Sequence, residues 1–463
     1  MGLHSNPNDS AFKKSRFDHI AKTDEQGRFV IGGLAPGQYR IYALEDKDGD
    51  MAWSSPEESL AFYDAFIEPR VEQTVATDTI FDLLTGAVDT VKRRERVRFV
   101  PNNILLRSFN SGYKQQYITK YERVDSTRIN FIFNAPADAL AKFDVITPAG
   151  RTAPMADVAV IEKSATNDTL SFWLRDKEIF NSDTLRVAVE YLRADSAYNM
   201  VPVNDTVRLI TQRPKVKPTK APKAKTAAED SIPKVPTFDL KVVNNKVEAN
   251  GPIVVEAPFP TEEFDFSLIN LATKPDSVWI DVADFDRGKI RYDSLNPRRI
   301  IIDYPWQYET QYRLTVDSLA ARNIYGIFNA NLSNDFTTRK ESDYSSLQFD
   351  LTNVPPGSPA FVELIEGQDK VTRRLPVENG RVLFEYLLPG KYNARIVIDA
   401  NGNGRWDPGN FDLGIQPDVS YYYPQDIELK QNWSQELDWN IFSTPVDKMR
   451  PQKSSNRNST PRR

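Results

Sequence analysis

The sequence predicts an all-β protein, a multidomain string of antiparallel β-sandwiches (Ig-like and prealbumin-like) with a flexible linker. Three observations lead there. Several runs alternate apolar and polar residues: Leu185, Val187, Val189 and Tyr191 fall on one face, Arg186, Ala188, Glu190 and Leu192 on the other. That is the period of two of a strand. The chain carries 31 prolines and 19 tyrosines among 463 residues, a bias toward turns and strands. It also repeats itself. Gly27-Arg28-Phe29 through Leu34-Ala35-Pro36-Gly37-Gln38-Tyr39, Asp46 and Trp53 return as Gly380-Arg381-Val382 through Leu387-Leu388-Pro389-Gly390-Lys391-Tyr392, Asp399 and Trp406, with nine of 27 positions identical. Self-similarity of this kind marks a reused structural unit.

Taken in order, residues 1–70 hold the first repeat copy. Phe29-Val30-Ile31 and residues 39–44 read as strands joined at Pro36-Gly37, and Ser55-Pro56-Glu57-Glu58, followed by Leu60, Phe62 and Phe66, reads as a short helix with a cap and early acids. Residues 346–351, strand-like in the second copy, precede the shared region and have no counterpart in the first. The first copy is therefore expected to begin without its opening strand, with residues before Met1, an export signal among them, missing. Residues 71–96 read as a polar connector with the basic cluster Lys92-Arg93-Arg94-Glu95-Arg96.

Residues 97–212 form a first Ig-like sandwich, with strands expected at 128–133, 169–174, 185–192 and 206–210. Residues 213–237 interleave lysines with Pro214, Pro218 and Pro222 and read as an extended basic linker. Residues 238–341 form a second Ig-like sandwich: Tyr312, Leu314 and Val316 alternate with polar neighbours, and Val278-Trp279-Ile280 and Ile300-Ile301-Ile302 read as buried strands. Residues 344–443 hold the second repeat copy, and 444–463 are expected to be a disordered tail.

Composition narrows the function. A net charge of −5 implies no strong field for nucleic acid. With no cysteine there are no disulfides, thiolate nucleophiles or zinc–sulfur sites. The only histidines are His4 and His19, which argues against a His-dependent triad. Acids number 64, and the sequence singles out no pair for glycoside hydrolysis. No catalytic residue and no organic cofactor is expected.

The strongest site candidates are two Asp/Asn/Gly loops. Calcium needs several oxygen ligands, and D-x-[DN]-x-[DN]-G supplies them on alternate residues. Asp399, Asn401 and Asn403 followed by Gly404 fit this spacing, with Asp407 at the ninth position, but Asn410 stands where a bidentate Glu belongs. Asp46, Asp48 and Asp50 are more acidic and Glu57 falls at the twelfth position, but Met51 replaces the turn-forming Gly. The competing reading is that these residues tolerate left-handed turn geometry. A further candidate is an aromatic platform for sugars: Trp406, Phe411, Tyr421, Tyr422, Tyr423 and Trp433, set against their use as core.

The segment 29–46 resembles the prealbumin-like, or carboxypeptidase-regulatory-like, β-sandwich module. Residues 312–316 with Asn323-Ile324-Tyr325-Gly326 resemble the bacterial Ig-like domain of surface-layer and envelope proteins. Asp399 through Asp407 with Gln416-Pro417-Asp418 are similar to the C-terminal signature of Bacteroidetes Ig-like-domain lipoproteins. The resemblance implies a bacterial cell-envelope protein, outer-membrane-associated or periplasmic, with protein or glycan partners and a lipid anchor not included in this chain. It implies a non-enzymatic structural or interaction role. The alternatives are a glycan-binding protein of a polysaccharide-uptake system and a carboxylate-based glycosidase.

Overall fold

The computed structural model describes residues 1–81, 88–137, 141–147, 149–195, 198–211, 236–243, 247–367 and 370–444. The basic linker and the tail expected from the sequence lie almost wholly outside these residues. The described chain is nearly all β, in mostly antiparallel sheets. Among the described residues no helix is long and apolar enough to cross a membrane. Two compact units are formed: Met1–Tyr113 with Ser345–Arg463, and Lys114–Tyr344.

The second unit contains two cores. In one, the sheet ordered Thr152–Pro154, Lys142–Ile146, Thr184–Ala194, Met200–Ile210 faces the sheet ordered Ala159–Lys163, Thr169–Leu174, Arg128–Phe133, Ile118–Arg123. Alternation puts Phe131, Val145, Phe172, Val187 and Val189 into the shared interior. The other core draws on Ile253, Val255, Ile300, Ile302, Tyr312, Leu314 and Val316. The two regions are tied by a partly buried ion network. Arg298 grips Glu162 in bidentate fashion (2.8 and 2.9 Å) and donates to Glu256 (2.8 Å), while the Trp173 indole N–H also donates to Glu162 (2.8 Å). Burial alone would raise the Glu256 carboxyl, but hydrogen bonds and charge from Arg299 and Arg298 hold it below its ordinary value.

One expected strand fails here. At 278–280 only Ile280–Asp281 is extended, and Val278 and Ile280 are exposed. The run leaves a turn at Pro275-Asp276-Ser277, where Ser277 has a φ of 90°, and Trp279 is covered instead by the Arg313 guanidinium, 4.2 Å from its ring.

In the first unit, the second repeat copy is a complete sandwich. Ser345–Thr352 lies between Arg381–Leu387 (antiparallel) and Ser434–Asn440 (parallel). The facing sheet is ordered Lys370–Pro376, Ala360–Glu366, Gly390–Ile398, Val419–Tyr422. Phe349, Val362, Phe384, Ile396 and Trp439 fill the space between.

The first copy keeps one sheet, ordered His19–Ile20, Gly2–His4, Arg40–Leu44, Leu60–Phe62. Three expectations for it are corrected. Phe29-Val30-Ile31 is not a strand. Its equivalent, Arg381–Leu387, is laddered to Ser345–Thr352, and no described strand pairs with 29–31. The helix expected around 55–66 is a loop leading into Leu60–Phe62, whose three residues are all buried. Apolar residues at 60, 62 and 66 suit a pleat as well as a helix turn, and pairing with Arg40–Leu44 decides for the pleat. The expected connector 71–96 is a long antiparallel ribbon, Arg70–Phe81 with Val88–Val100.

Candidate functional site: the Asp/Asn loops and the repeat contact

In the first copy the loop after Arg40–Leu44 folds on its own carboxylates. Asp46 accepts from the Gly49 and Met51 N–H groups, Asp48 from Asp50 N–H and the Ser54 hydroxyl, and Asp50 from Ala52 N–H. These bonds hold the Asp48 carboxyl below its ordinary value, the Asp50 N–H foremost. Met51 takes the left-handed conformation (φ 61°) at the position glycine would normally fill. Asp46, Asp48 and Asp50 can each offer an oxygen within 4.8 Å of the others, the one such acidic group among the described residues. They are largely exposed.

Glu57, expected at the twelfth position, is exposed and does not join this group. The residue that sequence counting missed is its neighbour. Glu58 is 2% exposed and accepts from Lys47 N–H at 2.9 Å, while its second oxygen is buried with no hydrogen-bond partner. Burial pushes its carboxyl up, against the Lys47 N–H bond, and the charges of Asp48 and Asp50 add to the rise. The signal was the strand register: Leu60–Phe62 pairs with Arg40–Leu44 and brings residue 58 back under the loop.

The second loop is built differently. Asp399, 3% exposed, accepts from the Gly402, Asn403 and Gly404 N–H groups (2.9, 3.2 and 2.7 Å). Asn401 and Asn403 turn their amide nitrogens toward Asp407 (2.5 and 2.7 Å) and use their oxygens on the N–H two residues ahead. Asp418 closes the loop by accepting from Ala400 and Asp407 N–H. Asp399, Asn401, Asn403 and Asp407 are thus brought together, but their polar atoms already satisfy the turn.

What this turn does is aim a hairpin tip. Asn410 and Ile415 exchange backbone bonds (2.7 and 2.8 Å), presenting Phe411. The Phe411 ring stands edge-on to four rings of the first copy: Phe12 (5.1 Å), Trp53 (5.5 Å), Phe62 (5.5 Å) and Tyr42 (6.0 Å). Both repeated tryptophans, Trp53 and Trp406, pack against this cluster. Gly409 is required there, because a Cβ would meet the Phe109 ring at 2.7 Å and the Ile415 carbonyl at 2.8 Å. The rim is polar: Lys13 pairs with Asp412, and the Gln416 amide donates to the Phe62 carbonyl (3.0 Å) and Asp64 (2.8 Å).

The candidate aromatic platform is not assembled as one face. Trp406 and Phe411 belong to the contact between copies, with the Trp406 N–H on the Asp418 carbonyl (2.9 Å). Tyr421 and Tyr423 pack against the core of the second copy, and the Arg395 guanidinium lies 5.9 Å from the Tyr422 ring. Trp433 is the exposed one, with Lys430 over its ring. Apart from Glu58, two enclosed sets of carboxylates are engaged by neighbouring side chains. Glu363, 1% exposed, sits between Arg374 (2.7 Å) and Arg395 (2.9 Å). In a depression at the base of the ribbon Glu68 accepts from Gln38 and Glu72 pairs with Arg70.

Sheets closed face to face over continuous apolar cores define the class: an all-β, multidomain β-sandwich protein. No protein-family model and no curated protein matches the sequence. Among solved structures, the chain is similar to a fragment of Escherichia coli alpha-2-macroglobulin spanning domains MG0-NIE-MG1, at 11% identity over 69% of this chain and 98% of that one, with a TM-score of 0.21. It is also similar to BcpA, the major pilin subunit of Bacillus cereus, at 9% identity over 66% and 95%, with a TM-score of 0.16. A third is the N-terminal four Ig domains of Dscam1, at 8% identity over 70% and 78%, with a TM-score of 0.16. Likenesses of this degree assign neither kinship nor activity.

Proposed function

We propose that this chain is a non-enzymatic structural or interaction protein of the bacterial cell envelope, a scaffold that presents Ig-like modules. The observation that carries the reading is the use made of the repeated loop. In the second copy its polar atoms are spent on shaping a hairpin that locks the two repeats together through Phe411. A loop with that task builds a rigid body rather than a reaction centre. The dispersed aromatics and the paired carboxylates support the same reading over glycan binding or glycoside hydrolysis. In this proposal the Asp46, Asp48 and Asp50 loop takes a calcium ion as a stiffening element, with Glu58 close beneath it.

Fractionation of the native bacterium tests the assignment. The protein is expected in the envelope fraction, and recovery in the cytosol overturns it. A glycan array run on the same protein is expected to be blank; saturable binding lost in Trp433→Ala would transfer the reading to the glycan-binding alternative.

A further inference from the structure

The ribbon Arg70–Phe81 with Val88–Val100 has two unlike faces. The register pairs Val71 with Phe99, Gln73 with Val97, Val75 with Glu95, Thr77 with Arg93 and Thr79 with Val91. Paired residues share a face, so Val71, Val75, Val91, Val97 and Phe99 all project from one side. Each is more than half exposed, Phe99 at 71%. The opposite side carries Arg94, Arg96 and Arg98, all exposed. A two-stranded ribbon is marginal in water unless its apolar face is covered.

We propose that this face is covered by the same face of a second copy of the chain, in a two-fold, face-to-face ribbon pairing. The choice of occupant rests on charge. Arg93 and Glu95 stand next to each other within the apolar stripe. A lipid surface would have to take both Arg93 and Glu95 out of water, a charged pair whose desolvation costs more than a surface contact returns. A two-fold axis across the ribbon at the level of Arg94 instead sets each Arg93 opposite the partner copy's equivalent of Glu95. The same axis sets Val97 opposite the equivalent of Val91, a reciprocal pair of the kind an isologous contact is built from. The three arginines on the other side forbid stacking by that side and stay in water.

The contact is small. Twelve residues of strand at about 3.4 Å each, two strands wide, give roughly 400 Å² per partner, half of a standard interface. Self-association is therefore expected only at high micromolar concentration.

Sedimentation velocity on the full chain, from about 5 to about 300 µM, tests this at concentrations suited to weak association. Wild type is expected to shift toward dimer across the range, and Val97→Asp to stay monomeric with unchanged circular dichroism. Arg93→Glu and Glu95→Arg are each expected to weaken the dimer about tenfold or more, the scale of a lost interfacial charge pair. The double exchange Arg93→Glu with Glu95→Arg is expected to restore it. A wild type that stays monomeric throughout overturns the proposal. So does a double exchange no better than its parents, or binding to anionic vesicles in place of self-association.

Discussion

Replacing Phe411 by Ala should unlock the two repeat copies from each other. The ring makes four edge-on contacts, at 5.1 to 6.0 Å, with Phe12, Trp53, Phe62 and Tyr42. Truncating a buried Phe costs about 3–5 kcal/mol. Phe411 is only partly buried, so about 2–4 kcal/mol is the reasonable expectation, with the edge-on geometry included in that figure rather than added to it. For a unit of this size each kcal/mol moves the melting temperature by about 2–4 °C, so a drop of about 4–16 °C is expected for the transition of the first unit. Leu413→Ala is the control. It sits in the same hairpin tip but is 70% exposed, and should change stability by less than about 0.5 kcal/mol. The assay is differential scanning calorimetry of the full chain, with urea unfolding as a check. If Phe411→Ala melts with Leu413→Ala and wild type, the contact holds nothing and the reasoning is wrong.

Arg298→Ala leaves Glu162 and Glu256 in partly buried positions without their shared cation, and should cost the second unit about 3 kcal/mol by urea unfolding; a change under about 0.5 kcal/mol would contradict the network's role. Gly409→Ala should destabilise the first unit, because the added methyl meets the Phe109 ring and a backbone carbonyl; unchanged melting would show that the loop moves aside freely. His4 is buried, and burial lowers its pKa, against the pull of Asp18. A histidine with a depressed folded-state pKa stabilises fully above its unfolded value of about 6.5 and loses that contribution as pH falls through and below it. Stability of the first unit should therefore fall with acidification from pH 7 in wild type and less steeply in His4→Phe; parallel profiles would remove His4 from the account. Calcium at a hundred times its dissociation constant should stabilise by about 2.7 kcal/mol. Asp48→Ala should abolish that gain, and a wild-type melt indifferent to chelator would sink the calcium proposal.

The fold class was legible because alternation is a direct imprint of the pleat. Leu185, Val187 and Val189, or Tyr312, Leu314 and Val316, could face one core only as strands, and they do. Where the reading failed, the missing information was which strand lies alongside. Phe29-Val30-Ile31 has the pattern of a strand and no ladder to join. Residues 71–96 look polar because half of a two-faced ribbon is arginine-rich, and averaging over both faces hides the valines on the other. At the loops, spacing correctly gathered Asp46, Asp48 and Asp50, but counting twelve positions along the chain chose Glu57, whereas the fold brings Glu58 under the loop. In the sequence Phe411 is one aromatic among six candidates. Its role depends on a contact with residues about 350 to 400 positions away, which no local pattern carries.

The central claim is that the two repeat copies form one folded body. The chain contains no cysteine, so Lys13→Cys with Asp412→Cys gives a clean probe of a pair that touches across 399 residues of sequence. Treated with a short bis-maleimide at low protein concentration, the double variant should form a single intramolecular crosslink, seen as a compact band on a denaturing gel and confirmed by peptide mass. Each single variant should form none. A double variant that stays uncrosslinked, or crosslinks only between molecules, would contradict the account.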